Sequence, residues 1–397
     1  MPRLARLSLA AMVALVAAAC GGSDEPAAPA PKPSVFQEIL DQGAGKYVGK
    51  ARISATADDG GVARYTFDPA SGPVCMTGEP YGVMVREGAS DDLFLFLQGG
   101  GACWSTFCLA ITQATETLPA KLDVLDPGKP TNPLAAHDLV YFPYCDGSMF
   151  AGDAAHDDDG DGTIDRDQRG LANLSAGLDV ARRRFPHPRR IVLAGSSGGG
   201  YGTILAAILV RAAYPDQELL VVNDAGPGLG RPGDEGFLSG VLSELGIDPL
   251  LPKSCPDCVA RGHVTGLLRY GLEHDPKLRV AMFSSYEDYV ISDVFLQVPA
   301  ADYHAALVDE TGRLTAAYPD RLKRFFVAGA VHTTLLGGVD GLIGDDLKAV
   351  KLPPGAATKL GNIKIGAMDT SVVRGVTFAT WLAAALDGSP AWDDRLE

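Results

Sequence analysis

The run Ile191-Val-Leu-Ala-Gly-Ser-Ser-Gly-Gly-Gly-Tyr-Gly places a serine where it could act as a nucleophile. An apolar stretch ends in a glycine-flanked turn, and a helix-length segment follows. In that setting G-x-S-x-G holds its serine on a tight corner, with the hydroxyl exposed and a helix N-terminus behind it. Gly195 and Gly199 remove side chains that would collide across the turn. Ser197 takes the central position, and Ser196 is its adjacent rival. A phosphate-binding glycine loop is the competing interpretation. Against it, no Lys-Ser/Thr follows the glycines and G-x-G-x-x-G is not cleanly formed.

A serine nucleophile needs a base, an acid to orient the base, and donors for the developing negative charge. His332, in Gly329-Ala-Val-His-Thr-Thr, follows the last clear apolar run, where the chain order serine, acid, histidine puts the base. Most other histidines sit in poorer settings: His187 between prolines, His156 in an acidic loop, His304 on a polar helix. Between Ser197 and His332, the segment Ala281-Met-Phe-Ser-Ser-Tyr-Glu-Asp offers Asp288 as the acid, with Glu287 as its rival and Asp293 slightly later. Asp224 follows an earlier apolar run and is expected to shape the pocket wall or cap a helix. The oxyanion donors are expected from the backbone of Gly198 and from the glycine loop Gly99-Gly100-Gly101-Ala102-Cys103-Trp104.

The elements that must position these residues recur along the chain. Leu93–Leu97, Leu139–Phe142, Ile191–Leu193, Leu219–Val222, Val280–Phe283 and Phe325–Val327 are short apolar runs without alternation, each followed by glycine or polar residues. Such runs are strands buried on both faces. Helix-length segments, including Asn173–Phe185, Tyr201–Ala213 and Thr377–Leu386, lie between or after them. Strands alternating with helices predict an α/β fold with a mostly parallel central sheet flanked by helices. Ligands in such sheets bind at the carboxyl ends of the strands, where the polar residues fall here. The shorter alternating runs of Ala63–Arg86 predict antiparallel edge strands.

Composition sets the remaining bounds. The chain has 34 basic and 49 acidic residues, a net charge of −15, and no Lys/Arg run, which argues against a nucleic-acid partner. Its start carries two arginines, then the apolar stretch Leu7–Ala19 ending at Cys20, too short for a membrane span and typical of an export signal. Three alanines before Cys20 resemble a bacterial lipoprotein cleavage box, although its usual leucine is missing. The expected organisation is a signal over residues 1–20 with lipidation at Cys20, a Pro/Ala-rich tether over 21–34, and one catalytic domain over 35–397. That places the enzyme outside the cytoplasm, on the outer membrane by its lipid alone or else secreted. Six further cysteines in an exported chain point to disulfides: Cys103 with Cys108, Cys255 with Cys258, and so Cys75 with Cys145. Zinc on the Cys255-x-x-Cys258 pair is the rival interpretation.

The segment Asp157-Asp-Asp-Gly-Asp-Gly-Thr-Ile-Asp follows the first nine positions of a calcium loop. Its carboxylates are Asp157, Asp159, Asp161 and Asp165, with Gly162 at the turn. The twelfth position is Gln168 instead of a bidentate glutamate. A structural Ca²⁺ is the expectation, with a solvated acidic turn as its rival; catalysis itself calls for no cofactor.

Taken together, Leu97-Gln-Gly-Gly-Gly-Ala-Cys-Trp, Tyr144-Cys-Asp-Gly-Ser-Met-Phe-Ala-Gly-Asp, Gly195-Ser-Ser-Gly-Gly-Gly and Val331-His-Thr resemble the pectin acetylesterase/Notum carboxylesterase family. The resemblance runs over roughly residues 60–390. It implies an α/β-hydrolase-like fold and a Ser-Asp-His triad that removes an acyl group, O-acetyl by preference, from an ester that can be part of a polysaccharide. It assigns the nucleophile to Ser197, the base to His332 and the oxyanion donors to Gly100, Gly101 and Gly198. The chain departs from the family pattern at Gly198, usually alanine, at Ala102, commonly aromatic, and at Tyr286-Glu287-Asp288, where Tyr-Asp is frequent. Longer acyl chains, as Notum-like members take, require a deep apolar pocket.

Overall fold

The computed structural model describes residues 34–338 and 363–397. The expected signal, Cys20 and all but the end of the tether lie outside the described residues. Ten strands form one sheet. An antiparallel arm comes first, with β1 (Ile53–Asp59), β2 (Val62–Phe67) and β3 (Gly82–Arg86). Then follow β4 (Leu93–Leu97), the hairpin β5 (Gly101–Trp104) and β6 (Phe107–Ala110), and β7 (Asp138–Phe142). A second small hairpin, β8 (Ala154–His156) and β9 (Arg166–Gln168), precedes β10 (Arg190–Ser196), β11 (Glu218–Asp224), β12 (Leu278–Ser285) and β13 (Leu322–Val327). Two two-residue strands, β14 (Val372–Val373) and β15 (Val376–Thr377), and the edge strand β16 (Arg395–Leu396) close the chain.

The order across the sheet is β1-β2-β3-β7-β4-β10-β11-β12-β13-β16. Pairing is antiparallel as far as β3 with β7, and parallel from β7 with β4 to the far edge. This is the mostly parallel, helix-flanked sheet that the apolar runs predict, in keeping with the α/β-hydrolase-like fold that the resemblance implies. Strand β4 shows why the runs do not alternate. Leu93, Leu95 and Leu97 enter one core and Phe94 and Phe96 the other, so both faces need apolar side chains.

Among the described residues, six longer helices flank the sheet: α1 (Gly170–Arg184), α2 (Gly198–Ala213), α3 (Glu235–Glu244), α4 (Thr265–His274), α5 (Ala300–Ala317) and α6 (Phe378–Asp387). Residues of α1 to α5 join the core that holds Leu93, whereas Phe378, Trp381 and Leu382 of α6 fill the other. Two of these helices start earlier than their apolar patterns suggest, α1 at Gly170 and α2 at Gly198. The reason for α2 is local: its first turn is built of glycines, which carry no apolar signal.

The three expected disulfides are present, Cys75–Cys145, Cys103–Cys108 and Cys255–Cys258. Both thiols of the Cys255-x-x-Cys258 pair are consumed in their bridge, which leaves no thiolates there for zinc. Cys103 and Cys108 face each other across the β5–β6 hairpin, directly after the glycine loop.

Candidate active site

Strand β10 ends at Ser196, and helix α2 begins at Gly198. Ser197 is the single residue between them, and it adopts φ 56°, ψ −120°. A side-chain-bearing residue pays for positive φ in strain, and such strain persists only where its surroundings fix it. The fixing is visible. A Cβ on Gly195 would come within 2.2 Å of the Gly199 carbonyl oxygen, and one on Gly199 within 2.2 Å of the Leu97 oxygen. Only glycine fits at either position. The Ser197 N–H donates to the Asp224 carbonyl at 2.8 Å, so this amide is not free to serve an oxyanion.

His332 lies on the loop after β13, almost fully buried. Its Nδ1 contacts both carboxylate oxygens of Asp288, at 3.0 and 2.9 Å. A proton on Nδ1 satisfies both contacts and leaves Nε2 as the basic nitrogen. Asp288 is fully buried, beyond the end of β12. Its Oδ1 also accepts the N–H groups of Val290 and Ile291, both at 3.0 Å. Those donors stabilise the charged carboxylate in the interior. Glu287 is exposed instead, its N–H held by the Gly329 carbonyl at 3.0 Å. Asp293 falls within the short π-helical segment Val290–Leu296. Among the described residues no hydrogen bond joins Ser197 Oγ to His332 Nε2; bonds of this kind often tighten only around bound substrate.

The glycine loop passes on the other side of Ser197. A Cβ on Gly198 would approach the Gly101 carbonyl oxygen to 2.7 Å, which brings the two backbones close together. Gly198 opens α2, so its N–H has no partner within the helix. Gly101 has φ 91°, and its carbonyl accepts the Tyr144 hydroxyl at 3.0 Å. Gly100 lies behind it, its carbonyl accepting the Ile111 N–H at 2.8 Å. Tyr144 in turn accepts the Met149 N–H at 2.8 Å, tying the oxyanion loop to the Tyr144–Asp153 segment. Asp146 in that segment is fully buried, and burial pushes its carboxyl up to about 6.

Ser197, Gly101 and Gly198 open onto a pocket. Its wall is apolar almost throughout, with Trp104 and Met149 from the oxyanion side, Leu205 from α2, Leu242 from α3, Leu267 from α4 and Phe295 among its residues. No sequence feature announced it, because the lining comes from segments far apart in the chain. Asp224 is a correction. It is fully buried and does not line the cavity; its carboxylate accepts N–H groups of the His332 loop and the Ser196 hydroxyl.

The acidic segment lies away from these residues, in the turn of the β8–β9 hairpin. Carboxylate oxygens of Asp157, Asp159 and Asp165 lie within 4.8 Å of one another. Asp161 is not in that group; its Oδ1 accepts the Thr163 N–H at 2.7 Å. Gln168 is buried and donates to the Cys103 carbonyl at 2.7 Å, turned into the domain and away from the loop.

Residues 62–230 match the family model for pectinacetylesterase, a family of carboxylic ester hydrolases. The matched stretch runs from β2 through the glycine loop and Ser197 to just past Asp224, and ends before Asp288 and His332. A search of curated proteins finds no match to the chain.

Proposed function

We propose that this member of the pectinacetylesterase family is a serine carboxylesterase with Ser197 as nucleophile, His332 as base and Asp288 as the acid that orients it. The observation that carries this proposal is the pair of contacts from His332 Nδ1 to both oxygens of buried Asp288, together with a serine held at φ 56° after β10. In the proposed reaction His332 Nε2 takes the Ser197 proton as Oγ attacks the acyl carbonyl. The N–H groups of Gly198 and of the Gly100–Gly101 loop receive the oxyanion. His332 then protonates the leaving alcohol, and water, deprotonated by the same imidazole, releases the acid from the acyl-enzyme. Release of p-nitrophenol from p-nitrophenyl acetate, compared between wild type and Ser197→Ala, tests it. Equal rates would leave a non-catalytic envelope binding protein on the same fold.

The family supplies an acetyl ester hydrolase as the class, and acetylated polysaccharide as one substrate. The cavity beside Ser197 favours a longer acyl chain. An acetyl methyl group would reach only a small part of its apolar wall. Each methylene buried there is worth about 0.8 kcal/mol, or up to about fourfold in kcat/KM. In a series of p-nitrophenyl esters from acetate to decanoate, kcat/KM is expected to rise with chain length. A maximum at acetate would return the assignment to acetylesterase.

Two further proposals concern the periphery. The clustering of Asp157, Asp159 and Asp165 within 4.8 Å supports a structural Ca²⁺ in that turn, and an unchanged Tm on adding a chelator would count against it. Export with lipidation at Cys20 is supported by the sequence alone. Mass spectrometry of the mature N-terminus, in wild type and Cys20→Ser, tests it.

A further inference from the structure

We infer that Asp224 is a positioning residue whose buried carboxylate clamps the loop carrying His332 to the corner carrying Ser197. Strands β10 and β11 run parallel, and Ser196 pairs with Asp224 at their carboxyl ends. Every polar group of Asp224 that faces the site is used. Its carbonyl accepts the Ser197 N–H at 2.8 Å. Its Oδ2 accepts the Ser196 hydroxyl at 2.7 Å and the Leu335 N–H at 3.1 Å. Its Oδ1 accepts the Thr334 N–H at 3.0 Å. One side chain thus binds the residue before the nucleophile and the second and third residues after the base.

The need for such a clamp follows from how His332 is otherwise held. Its ring is tied to Asp288 and its N–H to the Lys364 carbonyl at 2.8 Å, and neither contact reaches Ser197. Ser197 and His332 follow different strands, and the sheet between β10 and β13 fixes those strands but not the loop that carries His332 beyond β13. Asp224 holds that loop from β11, between the two strands. A neutral side chain of the same shape cannot replace it. An amide has one accepting oxygen, and its NH2 would point a donor at a donor on the other branch. Burial pushes the carboxyl up to about 6, and the hydrogen bonds from Ser196, Leu335 and Thr334 draw it back toward the ionised acceptor.

This inference rests on the assignment of Ser197 and His332 above. The test measures kcat and KM on p-nitrophenyl acetate for Asp224→Asn, Ser196→Ala and Ser197→Ala in the full chain, with Tm for each. A shift of about 1 Å between reacting groups can cost about 100-fold. Asp224→Asn is therefore expected to lose about 10- to 100-fold in kcat, with KM within about twofold of wild type. Ser196→Ala removes one donor but keeps the carboxylate and both backbone bonds, and is expected to lose only about threefold in kcat. A folded Asp224→Asn enzyme with wild-type kcat overturns the inference, as does a loss that merely tracks the unfolded fraction. Should Asp224→Asn not fold, Ser196→Ala decides, and wild-type kcat there overturns it. Retained activity in Ser197→Ala would instead sink the assignment of the nucleophile.

Discussion

On the polar side of the site, His332, Asp288 and Asp224 are buried and each is held by hydrogen bonds within the protein. On the apolar side, Ser197 opens onto a pocket walled by Trp104, Met149, Leu242, Phe295 and their neighbours, with few polar atoms. The polar side has one workable arrangement, because a buried carboxylate or imidazole without its partner is costly. Dispersion and burial are non-directional, so the apolar side tolerates many shapes of similar volume. Under the proposed function, chemistry is set by the first region and acyl-group selection by the second. Each can be disturbed with the other as control.

The largest effect is expected on the polar side. Asp288→Asn should lower kcat about 10⁴-fold while leaving KM and the chain-length preference intact, since it disturbs the tautomer and orientation of His332 and not the cavity. Steady-state kinetics on two esters of different length would check this. A change in preference would break the separation of the two regions. On the apolar side, Leu242→Trp should fill part of the cavity. The kcat/KM for decanoate is then expected to fall at least about tenfold, and that for acetate to stay within about twofold. Equal losses for both esters would mean that the cavity does not receive the acyl chain.

The two sides should also differ in what they cost the fold. Asp224 and Asp146 are fully buried, with carboxyls pushed up to about 6 from the ordinary 3.8. Below about pH 4 both are protonated in folded and unfolded chains alike. Between about pH 4 and 6 the folded chain holds protons that the unfolded chain has released, so these groups make stability fall as pH rises. Asp146→Asn should make that slope less negative by up to about 1.4 kcal/mol per pH unit, read from urea unfolding across this range. The smallest effect is expected at the loop joining the two regions. Cys108→Ser, which opens the Cys103–Cys108 bridge, should lower kcat on p-nitrophenyl acetate severalfold with KM unchanged. An unaltered kcat would show that the Tyr144–Gly101 bond holds the loop without the disulfide.

The polar side was largely legible in the sequence and the apolar side was not, for a physical reason. Ser197, Asp288 and His332 each follow an apolar run that must be a buried strand. A parallel sheet delivers the residues just after its strands to one edge. Position along the chain therefore carried information about position in space. The sequence favoured Asp288 over Glu287 only narrowly; in the fold Glu287 lies in solvent and Asp288 against the imidazole. The cavity gathers residues from Gly101 to Leu296, with no local period to mark them. Strand β1 escaped notice because every residue in it is exposed, so it lacks apolar alternation. Asp224 was legible as a polar residue at a strand end. Its partners Thr334 and Leu335 are more than a hundred residues away, though, and only the folded chain brings them to it.

Covalent labelling with a fluorophosphonate, followed by peptide mass spectrometry, tests the central claim most directly. It reports which hydroxyl the site has activated, whatever the natural ester. One adduct on Ser197, abolished by Ser197→Ala and retained in Ser196→Ala, is the predicted result. An adduct on Ser196, or one unaffected by Ser197→Ala, would contradict it.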